Sequence, residues 1–127
     1  MLTLPPSVRI LLLPGATDMR KSFDGLCALT QEVLKEDPFA GHLFGFANRD
    51  RNRAKFLLWD HGGFWLFCRR LERGTLDWPQ DGAGGRVEMR SRDLLALLEG
   101  LDLRTARWKK RYEREVAGTA TKAAGLS

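Results

Sequence analysis

Cationic side chains recur at Arg49, Arg51, Arg53 and Lys55 and again at Arg69, Arg70 and Arg73, with Trp59, Trp65 and Trp78 in and around the same stretch. Cations beside flat rings suit a polynucleotide: the charges meet phosphates, and the rings offer stacking surfaces for bases. A solvated basic face laid over an aromatic core is the competing account. A second set lies in residues 104–127, where Arg107, Lys109, Lys110, Arg111 and Arg114 surround Trp108 and Tyr112. That pattern suits a DNA-facing arm, or a self-associating helix.

Two further groups invite chemistry. Thr17-Asp18-Met19-Arg20-Lys21 stands where a strand hands over to a helix. Free backbone N–H groups there, with Thr17, Arg20 and Lys21, would hold a phosphate; ordinary capping by Thr17 or Asp18 is the alternative, because the Asp18 carboxylate competes with an anion. The glycine turn before it lacks Walker spacing, so nucleotide binding has little support. Asp60-His61 suggests acid/base or metal chemistry, but a polar hairpin turn explains the pair more simply. His42 is alone, and no CxxC, HExxH or paired-carboxylate spacing accompanies it. No catalytic constellation, metal site or cofactor motif emerges.

The elements that must position these residues centre on Lys55–Pro79. Two runs rich in Phe, Leu and Trp flank Asp60-His61-Gly62-Gly63, the signature of a β-hairpin. Alternation places Lys55, Leu57 and Trp59 on one face and Phe56, Leu58 and Asp60 on the other. Both faces are apolar, so the hairpin is covered on both sides or keeps one for a partner. A turn at Glu72-Arg73-Gly74 lets Thr75–Trp78 pair again before Pro79.

Upstream, Val8–Leu13 reads as a buried first strand closed by Pro14-Gly15. Met19, Phe23, Leu26, Thr30 and Val33 then recur at helical spacing, predicting a helix over Asp18–Lys35 that packs Phe23 and Leu26 against Leu58 and Leu66 of the sheet. Gly25 inside it implies close packing against that sheet. Leu43–Asn48 is a second strand, residues 80–85 a loop, and Val87 with Met89 a last edge strand. Ser91 caps a helix whose Leu94, Leu97, Leu98 and Leu101 form one stripe. The expected fold is α+β: a mostly antiparallel meander of about five strands, one long helix on a face, a short Leu-rich helix, and a basic tail. Residues 1–103 form one domain and 104–127 the tail.

The 127-residue chain carries a net charge of +5, and all of it sits in the tail, since residues 1–103 hold 14 basic and 14 acidic residues against 7 and 2 in residues 104–127. Such asymmetry points to a polyanion or an acidic protein surface as partner. The longest apolar run, near Ile10–Leu13, falls far short of a membrane span, and the N-terminal residues do not resemble a cleavable signal. Cys27 and Cys68 are expected reduced and buried, in the cytoplasm.

The stretches Pro14–Leu26, Trp59–Leu66 and Arg70–Gly74, with Glu36–Phe44 and the Leu94–Leu101 helix between and after them, resemble the TnpB accessory proteins of the insertion-sequence-sixty-six transposons, over residues 8–104. The resemblance implies a small protein encoded beside a DDE-type transposase and a second accessory protein. It would assist transposition without catalysis, through contact with DNA, with the transposase or other accessory protein, or with both. A hydrolase or nuclease acting alone on nucleic acid is the alternative class. The RNA-guided nucleases that share the TnpB name are unrelated longer chains, and the three-carboxylate centre they need has no counterpart here.

Overall fold

The computed structural model describes residues 7–82, 85–99, 101–102 and 107–108. Strand β1 (Ile10–Ala16) leads into helix α1 (Phe23–Glu32), then β2 (Leu43–Ala47), β3 (Arg53–Asp60), β4 (Gly63–Arg70), β5 (Val87–Met89) and helix α2 (Ser91–Leu98). Two short strands, β6 (Leu101–Asp102) and β7 (Arg107–Trp108), pair antiparallel with each other. The main sheet has the order β4-β3-β2-β1-β5.

The class is α+β, but the sheet is mixed. β1 and β2 run parallel, joined by the crossover through α1, as parallel neighbours must be. Only β2, β3 and β4 form the meander, and β5 returns antiparallel to the far side of β1. Nor does Thr75–Trp78 add a strand. Leu76 and Trp78 are buried instead in the core on one sheet face, where the Trp78 indole N–H donates to the Leu13 carbonyl (2.9 Å) and the Leu76 N–H to the Arg51 carbonyl (2.6 Å). Hydrophobic anchoring thus outweighs ladder formation in this segment.

Both faces of the sheet's inner strands are covered. Ile10, Leu12, Leu43 and Phe56 face Leu71, Leu76, Trp78, Leu94 and Leu97 on the α2 side. Leu11, Leu13, Phe44, Phe46 and Leu57 face Leu26 and Leu34 on the α1 side. At the centre of β2, Gly45 makes room for its cross-strand neighbours on the α2 face: a Cβ there would lie 2.6 Å from Leu12 and from Phe56.

Helix α1 is shorter than the periodicity implies. At its start the Asp18 carboxylate takes the Arg20 N–H (2.9 Å) and guanidinium, folding residues 18–20 into a turn; at its end Lys35 adopts φ 58° and turns the chain away. With the helix beginning at Phe23, that ring lies at its first turn and stays 41% exposed, while Leu26, Thr30 and Leu34 take the buried positions. Leu58 joins the opposite core from Leu26, because the hairpin register sets Leu57, not Leu58, beside Leu66. Gly25 accommodates the Lys21 side chain rather than the sheet. Ser91 is the first residue of α2, after an Arg90 N-cap with no side-chain cap bond, and Leu101 falls in β6 instead of the helix.

Long-range polar links, invisible to periodicity, tie the periphery together. Arg86 donates to the Leu34 carbonyl and the Glu36 carboxylate, Arg9 pairs with Glu88 (2.9 Å), and the Arg9 N–H donates to His42 Nδ1 (3.0 Å). His42 is therefore a structural acceptor.

Candidate nucleic-acid interface

The β3–β4 hairpin is built on a two-residue loop. His61 (φ 48°) and Gly62 (φ 86°) both take positive φ, as a type I′ turn requires, and the ladder then runs without irregularity from Asp60 opposite Gly63 to Arg53 opposite Arg70. This register brings two of the sequence-selected cations directly face to face at the hairpin's open end. On the same face, two residues along, Lys55 donates from Nζ to the carbonyls of Met19 and Lys21, 2.8 Å each. The turn before α1 and the root of the hairpin are thereby joined. A depression of ≈ 340 Å³ lies there, lined by Met19, Arg53, Lys55, Cys68 and Arg70 among others.

Arg49 and Arg51 belong to the loop entering β3. The Asn48 carbonyl oxygen of the side chain accepts the N–H groups of Asn52 and Arg53 (3.0 Å each), which fixes the loop, and Arg51 adopts φ 57°. Arg70 is exposed and pairs with Glu72 at 3.3 Å. Arg73 lies exposed in the following turn.

Arg69 points to the other face. Its Nε donates to the Leu98 carbonyl (3.0 Å) at the C-terminal end of α2, where helix carbonyls lack internal partners and a cation is favoured. It serves as a fold contact as well as a surface charge. No local signal foretells this, since 29 residues separate donor and acceptor.

In the Thr17–Lys21 turn three N–H groups are engaged: Thr17 donates to the Ala47 carbonyl (2.7 Å), Arg20 to Asp18 Oδ1 and Lys21 to the Asp18 carbonyl (3.1 Å). The Arg20 guanidinium lies against Asp18, and that hydrogen bonding, reinforced by the Arg20 N–H, holds the Asp18 carboxyl down at about 2. Thr17 is buried with its hydroxyl unpartnered. The turn presents cationic side chains, but these N–H groups are not open to a phosphate.

At the hairpin tip His61 Nδ1 lies 2.6 Å from Asp60 Oδ1, and the imidazole is 92% exposed. Among the described residues no three His, Cys, Asp or Glu side chains gather as a metal-binding group. Both cysteines are free; Cys27 is half-buried with its thiol pushed up by burial, and Cys68, expected to be buried, is exposed because its side of β4 extends past the α1-side core. No helix among the described residues is long and apolar enough to cross a membrane. Of the tail cations, Arg107 falls in β7, while Lys109, Lys110 and Arg111 lie outside the described residues.

These features define a small mixed-sheet α+β protein with a cationic ridge at the root of its central hairpin. The chain belongs to the family described as IS66 Orf2 like protein, whose family model matches residues 8–108. Two relatives from Sinorhizobium fredii (strain NBRC 101917 / NGR234) share this span. One, called "Uncharacterized protein y4hO", is 39% identical over 104 residues, covering 82% of this chain and 90% of the relative. The other, "Uncharacterized protein y4jC", is 32% identical over 97 residues, covering 75% and 80%. No solved structure matches the chain.

Proposed function

We propose that the chain is a non-catalytic accessory to transposition of its insertion sequence, contacting the DNA backbone through the ridge of Arg49, Arg51, Arg53, Lys21 and Arg70 and so assisting the transposase. Membership of the IS66 Orf2 like family supports the transposition context. The observation that carries the DNA contact is the Arg53–Arg70 pair. Like charges directly opposite on neighbouring strands destabilise a sheet, and a polyanion that meets both would offset their repulsion. Contacts of this kind position a protein on DNA without reading sequence. The basic tail, residues 104–127, would add phosphate contacts of its own.

Fluorescence anisotropy with a labelled duplex, measured across a salt series, tests this reading. Each phosphate contact contributes about 0.9 to the slope of log affinity against log salt. Removing residues 104–127, or replacing Arg53 and Arg70 by Thr, should each flatten the slope while cooperative unfolding of the main sheet is kept. Binding that ignores both changes, or metal-dependent cleavage of the duplex by the purified protein, would overturn the proposal.

A further inference from the structure

We infer that the outer edge of β4 pairs antiparallel with β4 of a second copy of the chain, joining two five-stranded sheets across a two-fold axis at Leu66. β4 is the terminal strand of the sheet and is eight residues long. With Asp60 and Gly63 closing the two-residue turn, alternate residues of β4 bond to β3, and the backbone groups of Phe64, Leu66, Cys68 and Arg70 point outward. Natural edge strands are usually blunted by proline, bulges, central charges or brevity. β4 has no proline and no register shift, and both of its charges, Arg69 and Arg70, lie at one end.

The aromatic surface beside this edge points to a protein rather than a nucleic acid. Trp65 is 55% exposed and stacks on Phe67 with ring centroids 6.0 Å apart and planes 11° apart. These rings lie on the α2 side, whereas Arg53, Lys55 and Arg70 project from the opposite face. Arg69, on the rings' own side, is engaged by the Leu98 carbonyl. Base stacking here would lack the neighbouring phosphate contacts it ordinarily accompanies.

Self-pairing suits the strand's charge distribution. With Leu66 facing Leu66 of the partner subunit, Trp65 meets Phe67 of the partner subunit, and each flat aromatic pair gains a cover. The Arg69-Arg70 end falls opposite the Gly62-Gly63 turn of the other copy, with Arg69 on the same face as the half-exposed carboxylate of Asp60 of the partner subunit. The two Arg70 positions are then roughly 27 Å apart at about 3.4 Å per residue, beyond the screening length of physiological salt. Like charges separate and unlike charges meet, a two-fold self-complementary arrangement.

Sedimentation of the full chain and of one variant at micromolar concentration, with cross-linking of two cysteine variants, tests the inference. Two chains per particle are expected, with Trp65→Lys giving a single chain. The register is checked by Leu66→Cys in a Cys68→Ser background, because a directly bonded antiparallel pair sets Cα atoms about 5.5 Å apart, within disulfide reach. Mild oxidation should cross-link that variant much faster than Phe64→Cys in the same background. A single-chain particle for the unaltered protein, two chains that persist in folded Trp65→Lys, or equal cross-linking of the two cysteine variants would each refute it. Because no DNA is present, the outcome is independent of the proposed function.

Discussion

Replacing Arg53 by Thr should strengthen the fold and weaken DNA binding together. Arg53 and Arg70 form a cross-strand pair that exchanges no backbone hydrogen bonds, the type in which Cα atoms approach to about 4.5 Å. Two unit charges about 6 Å apart in water repel by about 0.7 kcal/mol. The Glu72 carboxylate, 3.3 Å from Arg70, offsets part of this, so relief of about 0.3–0.6 kcal/mol is expected, within the usual range for cross-strand pairs. Urea unfolding followed by tryptophan fluorescence measures the gain. Threonine also favours strands, so the diagnostic is salt: a gain from lost repulsion fades in 1 M NaCl, where the screening length is about 3 Å, and a propensity gain does not. In the anisotropy experiment the same variant should lose about 0.9 from the salt slope. A loss of stability would show that Arg53 packs rather than repels. A gain in stability with an unchanged slope would remove the argument that the pair meets a polyanion.

Trp78→Phe should cost about 1–3 kcal/mol, because it leaves the buried Leu13 carbonyl without its donor; unfolding midpoints equal to the unaltered protein would refute that role. Gly45→Ala should cost about 1–3 kcal/mol by overpacking between Leu12 and Phe56, and a neutral result in denaturant titration would mean that these two side chains yield freely. Asp18 titrates at about 2 instead of 3.8, so its pairing is complete above 3.8 and is lost as pH falls through about 2. Arg20→Ala should move the Asp18 midpoint, followed by carboxyl carbon chemical shifts, upward toward the ordinary value; no movement would assign the depression to another group.

Features that depend on near neighbours are legible in the sequence. The type I′ hairpin at His61-Gly62, the alternation of β3 and β4, the existence of two helices and the short β5 all follow from turn chemistry and periodicity over a few residues. Family membership was legible too, through several local motifs in order. Tertiary structure decided whatever required distant partners. The parallel pairing of β1 and β2 depends on α1 crossing the sheet, and the burial of Trp78 on a carbonyl available from Leu13, beside the irregular end of β1. In the candidate site, alternation marked Arg53 and Lys55 as sharing a face, but only hairpin register set Arg53 against Arg70. Only packing turned Arg69 onto the end of α2 and Lys55 onto the carbonyls of Met19 and Lys21. A cation at the surface and a cation holding two elements together are the same letter in the sequence. The difference lies in whether an acceptor dozens of residues away is folded within about 3 Å of it.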